Sequence, residues 1–229
     1  MNYTINNCVD NIDNNIVDIY NKFNPFSLFQ YYLSYTFFTT SHKFLNKMVD
    51  KNLANYGNAF IHSSSFCLFS FLYFILENKE EKLFSTFWDF LKVYSSGYFI
   101  YDFLYIIKHQ KINMVNFVLL YHHLSSINLL RVNEYSKDVF KMVLFAEISN
   151  FPSPIVYYLI KSKTKNKAFL LFMKKMQFVL YSFFRIPLIG YYMISLFKKY
   201  PYNKNLYISL PVYLMGVVWT SKLYKGLSK

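Results

Sequence analysis

Two cysteines, five glycines, six prolines and 12 acidic residues are few for a chain of 229 residues, and each scarcity excludes something. Cys8 stands in a polar tail and Cys67 in an apolar run, so neither a disulfide framework nor a cysteine metal motif can be written. The glycines are scattered, which rules out a Gly-rich phosphate loop and a nucleophile elbow. No His-x-x-x-His or His-x-x-Glu spacing fixes a ligand geometry, so no metal is expected. Residues 1–23 are polar and weakly acidic. They lack a basic segment followed by an apolar one, so no cleavable signal peptide is expected.

What the chain has instead is aromatic and apolar mass. It is 54% hydrophobic and 22% aromatic, with 26 Phe and 23 Tyr, too much for disorder and too evenly spread for one water-soluble core. The net charge of +13 raises nucleic-acid binding as a class, but the lysines lie between apolar runs, as in KSKTKNK (161–167) and LFKKYPYNK (196–204). That placement is membrane-flanking positive charge, and no nucleic-acid partner is expected.

The apolar runs fall at about 25–41, 57–76, 83–107, 113–130, 139–160, 176–197 and 205–223. Each approaches the ~17–25 residues that cross a bilayer as a helix. The expected fold is all-α, a polytopic membrane bundle of six or seven transmembrane helices, with 25–41 the least secure span. The domain plan is a polar tail (1–23), one transmembrane domain (24–226) and a short C-terminal tail (227–229). With seven spans, nine Lys and Arg fall on the side of the N-terminal tail and fourteen on the other. The positive-inside rule then puts the C-terminus in the cytosol.

Ionisable residues stand inside these runs: His62, Asp102, His122, His123, Glu147 and Arg185. A charge within a span costs about 2.5–3.5 kcal/mol on insertion scales, so it faces a partner, a cavity or a substrate. With the assigned topology these residues occupy the middle and the cytosolic half of the bundle, which suits a cavity entered from the cytosolic leaflet. His122 and His123 point about 100° apart on a helix, so one serves as acid or base, or both bond across helices. Asp102 has Tyr98 and Tyr105 at helical spacing, which suggests a Tyr–Asp or Arg–Asp bond. Glu147 and Arg185, on adjacent spans at similar depth, are expected to form an ion pair. His62, followed by Ser63, Ser64 and Ser65, reads as a packing face for another helix. Pro152 and Pro154 interrupt a span just after Glu147 and free backbone carbonyls beside it. An ion or proton pathway through these groups is a further class.

The order of the motifs resembles the TLC-domain family. The residues are His62, SGYFIYD (96–102), a YHH pair (121–123), AEISNFPSP (146–154), FFRIP (183–187) and a closing Trp219, Lys225 and Gly226. Together they span roughly residues 25–226. The resemblance implies a multi-pass protein of the endoplasmic reticulum or another cell membrane, with membrane lipids as partners; homo-oligomer formation stays open. Within the family, ceramide synthases use a paired His to N-acylate a sphingoid base with acyl-CoA as co-substrate, and His122 and His123 match that pair. After it the chain reads NLLRVNEYSKDVF, without the family's following His–Asp and spaced acids. AEISNFP looks more like the smaller TLC-domain proteins, associated with lipid composition, trafficking or sensing. The expectation is therefore a lipid-binding or lipid-handling cavity of His62, Tyr98, Asp102, His122, His123, Glu147 and Arg185. The alternative is an N-acyltransferase with His122 or His123 as base and Asp102 orienting it.

Overall fold

A computed structural model describes residues 25–76, 81–111, 113–133 and 135–227. The expected tail at 1–23 and the last two residues lie outside them. Among the described residues the fold is all-helical: α1 (Pro25–Leu45), α2 (Lys51–Leu76), α3 (Glu81–His109), α4 (Met114–Leu130), α5 (Ser136–Asn150), α6 (Pro152–Lys161), α7 (Lys167–Phe183), a π-helical turn (Phe184–Leu188), α8 (Ile189–Lys199) and α9 (Lys204–Leu227). Two of the junctions are interruptions within continuous rods, so these elements make seven rods.

The starts of three helices are fixed by local capping. Asp50 Oδ1 accepts the backbone N–H groups of Asn52 and Leu53, both at 3.0 Å, and sets the start of α2. Asn113 does the same for α4 through Asn116 N at 2.9 Å, and Asn166 for α7 through Phe169 N at 2.9 Å. A side-chain oxygen there satisfies a donor that has no partner inside the helix. The interruptions follow from proline. Pro152 offers no N–H to continue α5, so the rod breaks at Phe151. Pro187 removes a second bond, and the chain widens there into the π turn.

All the rods but α4 are longer than the apolar runs that mark them. Helix α2 begins at Lys51 rather than near 57, and the rod of α7, the π turn and α8 begins at Lys167 rather than near 176. Charged residues between the runs are thus helical, because capping and backbone bonding, not apolarity, decide where a helix stops. Four rods are long and apolar enough to cross a membrane: Lys51–Ile75, Ser136–Lys161, Lys167–Lys199 and Lys204–Leu227. That is consistent with an integral membrane protein. Of the rest, α4 has only 17 residues, and the first half of α3 carries the Asp89–Lys92 ion pair at 2.6 Å.

The outer faces of the rods are apolar. Phe29, Leu33 and Phe37 on α1, Phe71, Phe74 and Ile75 on α2, and Leu214 and Val218 on α9 are all exposed. A surface of that kind is a liability in water and a match for lipid. Inside, α1 lies along α3, α2 along α5 and α6, α4 along α3 and α9, and α7 along α6 and α9. A close crossing of α1 and α3 lies at Gly97 of α3. A Cβ there would collide with the Ser34 side chain and stand 2.8 Å from the Tyr35 backbone nitrogen. Ser34 Oγ donates to the Tyr94 carbonyl at 3.0 Å across this crossing.

Where α2 ends and α3 and α5 begin, the interior is aromatic. The Phe140 ring lies 5.6–6.3 Å from the rings of Phe66, Tyr73, Phe74, Phe84, Phe87 and Trp88. Four of these six pairs are edge-to-face, with Tyr73, Phe84, Phe87 and Trp88, and such pairs add about 0.5–1.5 kcal/mol each beyond area burial. This cluster clamps three rods at one end of the bundle. At their other end the same rods enclose a polar space.

Candidate functional site

That space is a cavity of about 520 Å³. Asn55 and Tyr56 line it from the start of α2, Gln110 from just beyond α3, Asn116 from the start of α4, Tyr157 and Ile160 from α6, and Trp219 from α9. It therefore lies toward the end of the bundle that carries Lys51, Lys108, Lys111, Lys161 and Lys222. Near the mouth Tyr56 stacks on Tyr157 at 3.7 Å between ring centres, and Lys161 caps the Tyr157 ring at 5.6 Å. His62, Tyr98, Asp102, His122, His123, Glu147 and Arg185, the seven residues picked from the sequence, all line this one cavity.

Their pairing differs from the expected one in two respects. Glu147 does not pair with Arg185. Its Oε2 accepts from Ser63 Oγ at 2.6 Å and lies 3.5 Å from His62 Nδ1. Arg185 instead donates from Nε to Ser149 Oγ at 2.9 Å, and from Nη2 to Asn150 Oδ1 at 3.0 Å and the Ala146 carbonyl at 3.3 Å. The reason is register. Ser149 and Asn150 follow Glu147 by less than a turn, and the neutral cradle they form with the Ala146 carbonyl takes the guanidinium that the carboxylate was expected to take. The second difference concerns Asp102, whose partners are Asn55 (Nδ2 to Oδ1, 2.9 Å) and His123 (Nε2 to Oδ2, 2.8 Å) rather than a tyrosine. Tyr98 turns its ring flat against His62, 4.2 Å away, and the Tyr105 hydroxyl donates to the Lys51 carbonyl at 3.1 Å.

His62 belongs both to the packing and to the polar site. Its ring is stacked on Tyr98 and stands edge-on to Phe38, while Nε2 meets Ser95 Oγ at 3.1 Å and Nδ1 faces Glu147. It is 1% exposed, so both ring nitrogens depend on protein partners. The two adjacent histidines are not equivalent. His123 contacts Asp102, though the carboxylate lies off the ring N–H direction, and its Nδ1 has no hydrogen-bond partner among the described residues. Among the described residues His122 has no carboxylate contact, and its Nδ1 is likewise unpartnered. Of the pair, only His123 is positioned by an acid.

Among the residues of this site that carried no sequence signal, Asn55 and Gln177 are the clearest. Asn55 sits in a segment that reads as a basic connector, yet its amide donates to Asp102 and its carbonyl accepts from the Tyr101 hydroxyl at 2.9 Å. The Tyr101 oxygen also meets His42 Nδ1 at 2.7 Å, so α1, α2, α3 and α4 are joined through His42, Tyr101, Asn55, Asp102 and His123. Gln177 is the other, bonded to Ser153 Oγ at 2.9 Å on the cavity wall. An Asn in a connector or a Gln in a lysine-flanked helix looks like surface until the rods are packed.

A smaller, apolar cavity of about 80 Å³ adjoins the first. Met142, Val143, Ile189, Met193 and Val212 line it, and it shares His122 and Arg185 with the larger one. The arrangement offers a polar chamber with hydrogen-bond donors and acceptors, backed by an apolar recess. Among the described residues no three His, Cys, Asp or Glu side chains converge on a point where a metal ion would sit. No protein-family model, no curated protein and no solved structure matches this chain.

Proposed function

We propose that this chain is a TLC-domain membrane protein that holds a membrane lipid in the cavity between its rods and thereby affects lipid composition, trafficking or sensing. The observation that carries this reading is the meeting of all seven motif residues on one cavity of about 520 Å³ inside a bundle with apolar outer faces. In this reading the chain crosses the bilayer six or seven times, with α3 and α4 as spans and α1 the one that separates six from seven, in the endoplasmic reticulum or another cell membrane. The lysine-rich end faces the cytosol together with the C-terminus, and the cavity opens toward that leaflet. A volume of this size suits a lipid headgroup and part of a chain. The test is gentle purification followed by extraction and mass spectrometry of bound lipid. A defined lipid retained in near-stoichiometric amount supports the reading, and its absence from several preparations overturns it.

A second reading, an acyl-CoA-dependent N-acyltransferase, is favoured by the contact between His123 and Asp102. His123, held by the acid, would take the proton from a lipid amine as its nitrogen attacks the acyl thioester. The C–N bond forms, the C–S bond breaks, and the proton passes to the leaving thiolate. An N-acylation assay with acyl-CoAs and sphingoid bases decides between the readings. Product from the wild type that disappears in His123→Ala establishes the enzyme. Product that persists in the His122→Ala/His123→Ala double variant rules out this mechanism.

A further inference from the structure

Arg185 is 7% exposed, lies near the middle of the longest rod, and among the described residues has only neutral hydrogen-bond partners: Ser149, Asn150 and the Ala146 carbonyl. Its Nη1 has no hydrogen-bond partner among the described residues. The two acids of the cavity are held elsewhere, Asp102 by Asn55 and His123, Glu147 by Ser63 and His62. Glu147 is near enough for its charge to interact with that of Arg185, but its carboxylate is turned toward α2. A guanidinium is always charged, and one enclosed in a bundle without a contacting counter-charge is an incomplete ion pair. The π turn that carries it is the kind of irregularity often found at functional positions.

The surroundings say what completes the pair. Tyr181 presents its ring to the guanidinium carbon at 5.0 Å and fixes one face, so a ligand meets the edge. His122, also on the cavity wall, has an unpartnered Nδ1. Both Arg185 and His122 stand on the boundary between the polar cavity and the apolar recess of Met142, Val143, Ile189, Met193 and Val212. A ligand set on that boundary has an oxyanion at one end and an apolar chain at the other. We propose that Arg185 is the anion-binding residue of this cavity and that its ligand is an amphiphile with a carboxylate or phosphate head on the guanidinium. Part of the chain of that amphiphile lies in the adjoining apolar recess. This inference rests on the reading of the cavity as a lipid site.

The test uses the full chain in non-ionic detergent and four probes: oleate, oleoyl lysophosphatidic acid, monoolein as the neutral head with the same chain, and inorganic phosphate. Equilibrium binding is measured for the wild type, Arg185→Gln, Arg185→Lys and Val212→Phe. At least one anionic amphiphile is expected to bind about tenfold or more tightly than monoolein, a preference lost in Arg185→Gln and partly restored in Arg185→Lys. Whichever anionic probe prevails distinguishes a carboxylate from a phosphate head. Val212→Phe, which narrows the recess, is expected to weaken all chain-bearing probes together. Equal binding of oleate, lysophosphatidic acid and monoolein, unchanged in Arg185→Gln, overturns the inference and leaves the lipid reading intact. Phosphate alone binding as tightly as the amphiphiles overturns the role of the chain. Failure of every chain-bearing probe to bind overturns the lipid reading itself. The lysine variant separates loss of charge from loss of fold, because it keeps a cation on the same helix.

Discussion

The two ends of the bundle are built by the same helices from opposite materials. Where α2 ends and α3 and α5 begin, Phe66, Tyr73, Phe84, Trp88 and Phe140 close the interior with buried rings. At the other end the same three helices contribute Asn55, His62, Asp102 and Glu147, and a cavity of about 520 Å³ stands open between them. A polar cavity cannot supply much packing energy, so the rods must be held by something else. The aromatic clamp supplies that hold, and the polar end is left to be shaped by directional bonds: Ser63 to Glu147, Asn55 to Asp102 and Arg185 to Ser149. Stability and the candidate site are therefore separated along the bundle axis.

The separation can be broken most severely at its dry end. Phe140→Ala removes the ring that touches six others and is expected to cost about 3–5 kcal/mol. Thermal unfolding in detergent should show the largest fall of any single substitution discussed, while lipid retained per folded molecule stays near the wild-type value. At the wet end, Glu147→Leu orphans Ser63 Oγ and the facing nitrogen of His62 in an enclosed site, at about 1–3 kcal/mol for each group left unpaired. Here a lower melting temperature and lost lipid retention are expected together, which distinguishes it from Phe140→Ala.

Gly97→Ala tests the α1–α3 crossing that joins the two ends. The added carbon meets the Tyr35 backbone at 2.8 Å, which a rotamer change cannot relieve, so a loss of about 1–3 kcal/mol is expected in the same unfolding measurement. Gly226→Ala is its control. Nothing lies within 4 Å of a Cβ there, and the melting temperature should stay within the change produced by about 0.5 kcal/mol. The smallest expected structural effect separates the paired histidines. His122→Ala leaves the Asp102 contact intact, so the Asn55–Asp102 hydrogen bond should persist, whereas His123→Ala leaves that acid with Asn55 alone. Amide chemical shifts of selectively labelled Asn55 would read the difference.

The sequence was informative wherever a residue was out of place in its own neighbourhood. His62, Asp102, His122, His123, Glu147 and Arg185 stood out because a polar group in an apolar run has a cost that must be offset nearby. Asn55 did not stand out, because a polar residue in a polar segment has no local anomaly, and Gln177 did not because it stands at the edge of its apolar run, two residues after Lys175. The expected Glu147–Arg185 pair failed for a related reason. Depth along two rods can be read from a sequence, but rotation about their axes cannot, and Ser149 and Asn150 present themselves to Arg185 where Glu147 does not.

By itself, then, the sequence determined that this chain is helical, that its rods carry apolar faces suited to lipid, and that a small set of buried polar groups needs partners. Those properties are local, written in run length, capping residues and the cost of isolated charge. Tertiary structure alone decided which partners they take: His123 for Asp102, Ser63 and His62 for Glu147, and a neutral cradle for Arg185. Hydrogen bonds act over about 3 Å and depend on angle, so partner choice is fixed only when helix rotation and crossing are fixed. Those are set by the packing of rings and by close approaches such as Gly97 against Ser34, which no single run contains.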